Sequence, residues 1–385
     1  MRKRFVGVAA LLVLALALAA CGGQGGQAPQ QQGGAPAAQQ PAGEQKPAQE
    51  GAQRSGAEVD RSKLSKELNL FIWTEYMPDE VLQEFEKEYG VKVNYDTYSS
   101  NEEALAKLQA GGALYDVVVP SDYMVQIMIS QGLLEELDKS NIPNLKNAGK
   151  EYLDPPYDPG NRYSVPYMWG TVGIVYNKKY VKPEPTSWGD LWKPEYKGRV
   201  VLLDDSREVM GMALQLLGYS KNETDRAKLE EAKKKLIELL PNVKAFDSDS
   251  PKTLILSEEV WIGQTWNGEA ALAMQENPDI GYVLPKEKGG RWQDNLVIPK
   301  GAPHKYTAEV FINYLYRPEV AAKIASAFPY GSPNVEAVKL LDAKIRQNAA
   351  SYPPADKLAQ AEWITDVGEA TELYDQFFTE VKSSK

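Results

Sequence analysis

The chain has one cysteine and one histidine in 385 residues. A single cysteine excludes an internal disulfide and any clustered thiolate metal site. The lone histidine, His304, follows Gly301-Ala302-Pro303 and has no histidine neighbour, so the clustered ligands of a zinc site are missing. It is also the one imidazole available to a nucleophilic triad, and it sits in a loop where solvation is its simplest role. Phenylalanine is scarce, with 8 residues against 21 Tyr and 8 Trp. Rings that carry a polar handle suit a wet, lined cleft better than a dry core. Positive charge is also short: 43 Lys and Arg against 53 Asp and Glu give a net charge of −10. Phosphate binding needs a basic surface, so nucleic acid is a poor candidate partner, whereas a cationic ligand is well matched.

Phe5–Ala20 is a long uncharged, apolar run close to the start. It is short for a membrane span and is preceded by Arg2, Lys3 and Arg4, the signature of a secretory leader. The run ends Leu18-Ala19-Ala20-Cys21-Gly22, which resembles a bacterial lipoprotein cleavage box. The expectation is a signal peptide over 1–20 and lipidation of Cys21. Residues 21–62 are dominated by Gly, Gln, Pro and Ala. Such a composition cannot bury enough surface to offset its conformational entropy, and it reads as a disordered tether.

From about Leu64 hydrophobic periodicity begins. Asn69–Ile72 reads as a buried strand. Met77-Pro78-Asp79-Glu80 opens a helix with Val81, Leu82, Phe85 and Tyr89 at helical spacing, closed by Gly90. Val91–Tyr95 is a strand, Glu102–Ala110 a helix, Tyr115–Pro120 a strand, followed by helix to Gly132. A second block repeats the alternation, with strands at Arg199–Leu203, Val243–Phe246, Val260–Thr265, Ile280–Leu284 and Asn295–Ile298. Helices are expected at Glu208–Leu217 and Asp225–Leu240, and after Thr307 the chain is mostly helical. Strand–helix alternation implies α/β architecture with parallel-based sheets flanked by helices, here as two lobes joined by crossings.

In such sheets ligands bind beyond the carboxyl ends of the strands. Those ends carry Trp73-Thr74-Glu75-Tyr76, Ser121-Asp122-Tyr123, Asp204-Asp205-Ser206-Arg207-Glu208, Trp266-Asn267-Gly268-Glu269, and Trp292 with Asp294. Carboxylates interleaved with indole and phenol rings are the chemistry of an aliphatic polyamine site. Each ammonium needs a carboxylate to replace its water, and ring faces hold the methylenes between. Sugars use the rings but not so many acids. An amino acid would need a cation such as Arg207 for its carboxylate. Plainer roles exist for each segment: Thr74 as a helix N-cap, Trp73 as core, Asp205 and Glu208 as a capping box, Trp266–Gly268 as a turn, and Asp294 paired with Arg291.

These same segments, together with Val118–Tyr123, Ser187–Gly198, Asp204–Val209 and Trp292–Pro299, resemble the spermidine/putrescine-binding proteins of bacterial ABC importers, in family order over about residues 66–382. The resemblance implies a two-lobed, hinge-closing, periplasmic-binding-protein-like fold of type II with the ligand between the lobes. Lobe 1 is expected over 63–169 plus 293–338 and lobe 2 over 170–292 plus 339–385. Glu75 would take one ammonium, Glu208 and Asp294 together another, and Asp205 would help with the remaining charge. Trp73, Tyr76, Trp266, Trp292 and Tyr330 would wall the methylenes, with Thr74, Ser121 and Tyr123 adding hydrogen bonds. Two departures bear on ligand choice: Ile364 stands where the spermidine-type pattern carries a glutamine, and Glu269 adds an acid as in putrescine-preferring relatives. The implied function is extracytoplasmic capture of a polyamine, spermidine preferred and putrescine possible, for delivery to ABC permease subunits. The protein is expected to be a lipid-anchored monomer in the periplasm or on the outer cell surface, with no catalysis, cofactor, metal or nucleic acid. The competing readings are a carboxylate-based glycan hydrolase, which could use Glu75 and Glu208, a binder of another organic cation or of iron or calcium, and a purely structural lipoprotein.

Overall fold

The computed structural model describes residues 59–111 and 114–385. The expected leader and Cys21 lie outside the described residues, as does the tether up to residue 58. The first described residues, from 59, fall within the last part of the segment expected as tether. Arg61–Lys63 form a 3-10 turn capped by Asp60, whose amide donates to the Tyr306 hydroxyl.

The first block is β1 (Glu67–Trp73), α1 (Asp79–Tyr89), β2 (Lys92–Tyr98), α2 (Asn101–Gln109), β3 (Val117–Val118) and α3 (Asp122–Ser130). As the spacing predicts, α1 buries Val81, Leu82, Phe85 and Tyr89, and it ends on Gly90 with a φ of 71°, which glycine adopts without steric cost. The helix N-cap is Pro78, so Thr74 does not cap it. β1 pairs in parallel with both β2 and β3.

Next comes β4 (Ser164–Asn177), a 14-residue strand that the sequence reading passes over. All of it is buried. A strand covered on both faces shows no alternation, and Pro166, Gly170 and Gly173 interrupt its apolar character. The second block is β5 (Val200–Leu202), α4 (Ser206–Leu216), α5 (Arg226–Leu239), β6 (Val243–Phe246), α6 (Pro251–Leu256), β7 (Ile262–Trp266), α7 (Asn267–Glu276) and β8 (Ile280–Val283). β9 (Gly290–Val297) returns along β4. The chain then continues through α8 (Lys305–Leu315), α9 (Pro318–Ala327), α10 (Val335–Leu340), α11 (Ala343–Arg346), α12 (Ala355–Leu358), β10 (Glu362–Trp363) and α13 (Thr371–Ser383).

The strands form one path, β2-β1-β3-β9-β4-β7-β5-β6, with β8 beside β4 and β10 beside β9. Pairing is parallel within each block, among β1, β2 and β3 and among β5, β6 and β7. It is antiparallel wherever β4 is involved and where β3 meets β9. The architecture is therefore the α/β, two-block arrangement expected, with parallel halves joined by an antiparallel centre. The expected lobe limits at 169/170 and 292/293 fall inside β4 and β9, the two strands that cross between the blocks.

Gly263 marks how tightly the second block is assembled. A Cβ there would overlap the Val201 carbonyl oxygen of the neighbouring strand β5. Gly263→Ala is expected to destabilise the protein by about 1–3 kcal/mol, the usual cost of overpacking. Urea unfolding followed by circular dichroism measures this, and an unchanged midpoint would contradict the β5–β7 register.

Candidate functional site

The carboxyl ends of the strands surround a cleft of about 640 Å³ of empty space, partly open to solvent. The residues expected to contact a polyamine all line it: Trp73 at the end of β1 with Thr74, Glu75 and Tyr76 after it, Ser121 and Tyr123 after β3, Asp205 and Glu208 at the start of α4, Trp266 at the end of β7, Trp292 and Asp294 on β9, and Tyr330 after α9. Asn101, Asp122, Ser248, Asp249, Glu269 and Ile364 complete the wall.

The aromatic side is a chain of edge-to-face contacts. Trp266 meets Trp292 with ring centres 6.2 Å apart, Trp292 meets Tyr330 at 5.4 Å, and Tyr330 meets Tyr76 at 5.4 Å. This geometry leaves ring faces available to a guest. It depends on Gly268, because a Cβ there would overlap the Tyr330 ring. Trp266–Gly268 is thus the β7–α7 junction that shapes the wall, and Asn267 locks it by donating to the Ala350 carbonyl and accepting from the Thr171 amide. The Trp292 indole N–H is buried with no partner. Trp73 donates its indole N–H to the Val119 carbonyl at 2.8 Å, so its ring is fixed as well as cleft-facing.

Asp294 is the best-defined polar group. It is 5% exposed and accepts from the Tyr76 hydroxyl at 2.8 Å and the Ser121 hydroxyl at 2.6 Å. Arg291 is not its partner; that guanidinium lies 4.4 Å from the Trp363 ring centre. Burial pushes the Asp294 carboxyl up to about 7, against the two hydroxyls that favour its charge. Asp122, held by the Tyr123 and Gln293 amides, is pushed up to about 8, again mainly by burial. Asp205 caps α4 by accepting from the Glu208 amide, so the capping role and the cleft position coexist. Its carboxyl is raised by burial, then by the nearby Glu102 and Glu208 charges. Two of the hydroxyls expected to reach a ligand also hold acids: Ser121 donates to Asp294, and Tyr123 donates to Glu102 at 2.8 Å.

Two cations missed in the sequence enter this picture. Lys221 is fully buried and donates to Glu208 Oε2 at 2.9 Å, while Glu208 Oε1 is buried without a partner. Gly290 leaves the room, because a Cβ there would lie 2.8 Å from the Lys221 ammonium. Glu208 and Asp294 therefore do not stand as an equivalent empty pair, since one oxygen of Glu208 is already taken. Lys252 on α6 donates to Glu75 and to both oxygens of Glu269 at 3.2 Å. Glu75 has a φ of 52°, a left-handed conformation costing about 1–2 kcal/mol outside glycine, and this aims it across the cleft. No local sequence signal separates these lysines from surface ones. Arg207, the candidate for a ligand carboxylate, lies outside the cleft wall. It donates to Asn222 and the Thr365 carbonyl and is stacked between Tyr123 and Tyr374.

His304 is likewise elsewhere, with Nδ1 3.0 Å from buried Asp116 and its amide donating to the same carboxylate. Among the described residues no cluster of His, Cys, Asp and Glu could hold a metal ion, and no helix is long and apolar enough to cross a membrane. The Ser187–Gly198 motif serves the fold: Ser187 and Asp190 form a capping box, and buried Trp188 donates to Gln215.

The raised carboxyls fix a sign for stability. Their folded values, about 7 for Asp294 and Glu269 and about 8 for Asp122, exceed the ordinary carboxylate value near 4, so the folded state binds more protons between those limits. Stability from these groups is complete at low pH and is lost as pH rises through about 7–8. The ligand-free protein should melt at a lower temperature at about pH 8 than at about pH 5. Asp294→Asn should recover part of the loss at the higher pH only. Differential scanning fluorimetry across this range checks it; an Asn variant with the same pH slope as the parent would show Asp294 to be hydrated.

The sequence comparisons agree with this geometry. A model of the bacterial extracellular solute-binding proteins matches residues 80–354. The spermidine/putrescine-binding periplasmic protein of Salmonella typhimurium is 43% identical over 338 residues, covering 87% of this chain and 97% of that protein. The solved spermidine/putrescine ABC transporter substrate-binding protein of Streptococcus pneumoniae is 39% identical, with a TM-score of 0.70 over 83% of this chain and 99% of its own. A solved lipoprotein of Treponema pallidum is 33% identical, with a TM-score of 0.72 over 82% of this chain and 99% of its own. The chain belongs to the bacterial extracellular solute-binding proteins, with the two-lobed α/β fold of that family.

Proposed function

We propose that this protein captures a linear polyamine of the spermidine–putrescine class outside the cytoplasm and delivers it to an ABC-type importer. The observation that carries the reading is Asp294. A carboxylate buried beside Trp292, Tyr330 and Tyr76, held by two hydroxyls and lacking a cation, suits an ammonium flanked by methylenes. The relatives named for spermidine and putrescine support the same ligand class. Lobe 1 (63–169 plus 293–338) and lobe 2 (170–292 plus 339–385) would close on the ligand by flexing at β4 and β9. Trp73, Trp266, Trp292, Tyr76 and Tyr330 would wall the methylenes. Asp294 would take one ammonium, with Asp205 and the free oxygen of Glu208 contributing to the surrounding charge.

The protein would act as a binder and not as a catalyst. The solute-binding family to which the chain belongs supports that reading. Lipidation of Cys21 would hold the protein at the outer face of the cell membrane, and a lipoprotein among its relatives supports that placement. It would work as a monomer with permease subunits.

Titration calorimetry against spermidine, putrescine and a neutral oligosaccharide tests the function. Both amines should bind and the sugar should not; binding of the sugar alone would overturn the reading. Asp294→Asn should weaken amine binding by at least about tenfold, since it leaves an ammonium poorly paired. Affinity should rise between about pH 6 and pH 8, with protons released on binding, because a bound ammonium favours ionised Asp294. It should also fall with added salt. Cys21→Ser should move the protein from the membrane fraction to the soluble fraction, with loss of fatty-acid labelling; unchanged partition would exclude the anchor.

A further inference from the structure

A cation already meets two of the acids that line the cleft. Glu75, from the turn after β1, and Glu269, on α7, both line the wall. The Lys252 ammonium bridges them: it donates to Glu75, to both Glu269 oxygens at 3.2 Å, and to the Ser250 hydroxyl at 3.4 Å. Its side chain is 15% exposed and Glu269 is 5% exposed. Burial alone would lower the Lys252 ammonium, but the two carboxylates outweigh it and hold it above its ordinary value. Lys252 is not itself part of the cleft wall; it meets the two acids at the cleft's edge. One primary ammonium on a methylene stem, shared by two carboxylates, is what the end of a bound polyamine would look like.

At the α4 start, Lys221 takes one oxygen of Glu208. The wall carboxylates without a lysine in contact are then Asp122, Asp205, Asp249 and Asp294. Charge matching for an ammonium at the Glu75–Glu269 end is therefore weaker than the count of acids there suggests. A longer amine reaching Glu75 and Glu269 must either expel Lys252 from its bonds or place a second ammonium beside it.

We propose that Lys252 is a specificity-determining residue: its ammonium stands in for one ammonium of the ligand at the Glu75–Glu269 end, so the cleft favours diamines relative to triamines. This rests on the polyamine reading. The lysine acts as a tethered competitor. A diamine can pair with open carboxylates away from the Glu75–Glu269 end without disturbing it, whereas a triamine long enough to reach that end must displace it.

The test is calorimetry of the full mature protein with putrescine and spermidine, comparing the parent with Lys252→Met, which keeps the stem and removes the charge, and with Lys252→Arg, which keeps a cation. In Lys252→Met the ratio of spermidine to putrescine affinity should rise by at least about tenfold, the size expected when a charge conflict is removed. Lys252→Arg should stay within about threefold of the parent ratio. Lys252→Gln provides a second neutral variant should the methionine variant fold poorly, and a thermal melt checks each. An unchanged ratio in the neutral variants overturns the proposal. So does a matched loss of both affinities, which would make Lys252 only a tie across the cleft. Binding of neither amine by the parent would instead bring down the polyamine reading itself, and this inference with it.

Discussion

A carboxylate held out of water is the constraint around which the cleft is organised. Asp294 lies on β9, one of the two strands that cross the molecule, and its oxygens are fixed by hydroxyls from the turns after β1 and β3. The two hydroxyls satisfy the acid's hydrogen bonds but supply no positive charge, so burial still drives its proton affinity up to about 7. The group is therefore pre-positioned and electrically incomplete. A ligand ammonium is the natural completion, because it would restore the charged form and be shielded by the same rings that keep water away. Orientation has been secured in the folded state, and the guest need only bring charge.

The other acids share the problem but resolve it differently. Glu208 and Glu269 are as deeply buried as Asp294, yet each has a lysine in contact. A buried pair of this kind contributes little net stability, since desolvation consumes most of the Coulombic gain, but it determines where charge is and is not available. In this cleft the lysines divide the wall acids into glutamates that already have a cation and aspartates that do not. Counting carboxylates therefore overstates the positive charge a ligand must bring. The free Oε1 of Glu208 and the partnerless indole N–H of Trp292 remain as open hydrogen-bonding positions on opposite kinds of surface, acceptor and donor.

The fold and the cleft wall were legible in the sequence to different depths. Short strands ending in Trp-Thr-Glu-Tyr, Ser-Asp-Tyr and Trp-Asn-Gly could be placed at one edge, because parallel α/β architecture obliges strand ends to face the same way. The central strand β4 was not legible: full burial on both faces erases the alternation that reveals a strand, and its proline and glycines argue against one. Helix caps illustrate a different limit. Asp205 was readable as a cap and as a site residue, and both descriptions hold, since a helix start beside a cleft serves both purposes. Thr74 had the same two readings, and only the cleft position survives. The lysines were invisible because their meaning is wholly tertiary. Lys252 meets Glu75 across 177 positions of sequence, and Lys221 looks like any residue of the polar stretch that follows α4.

The antiparallel centre explains why acids from distant parts of the chain can cooperate. β4 runs beside β9 over one half of its length and beside β7 and β8 over the other, so one strand carries the register of both blocks. Side chains on β9 and at the end of β7 are thereby set at fixed positions relative to the turns after β1 and β3. A small bend in β4 and β9 would change the separation between Glu75 and Glu269 while leaving the Tyr76–Ser121–Asp294 unit intact, because that unit is anchored to strands of the first block and to the part of β9 that pairs with β3. The cleft thus combines a hydrogen-bonded unit around Asp294 with an acid pair, Glu75 and Glu269, drawn from the two blocks. Lys252 sits at the second of these, so the cation already in the protein ties together an acid 177 positions away in the chain and one on the neighbouring helix α7.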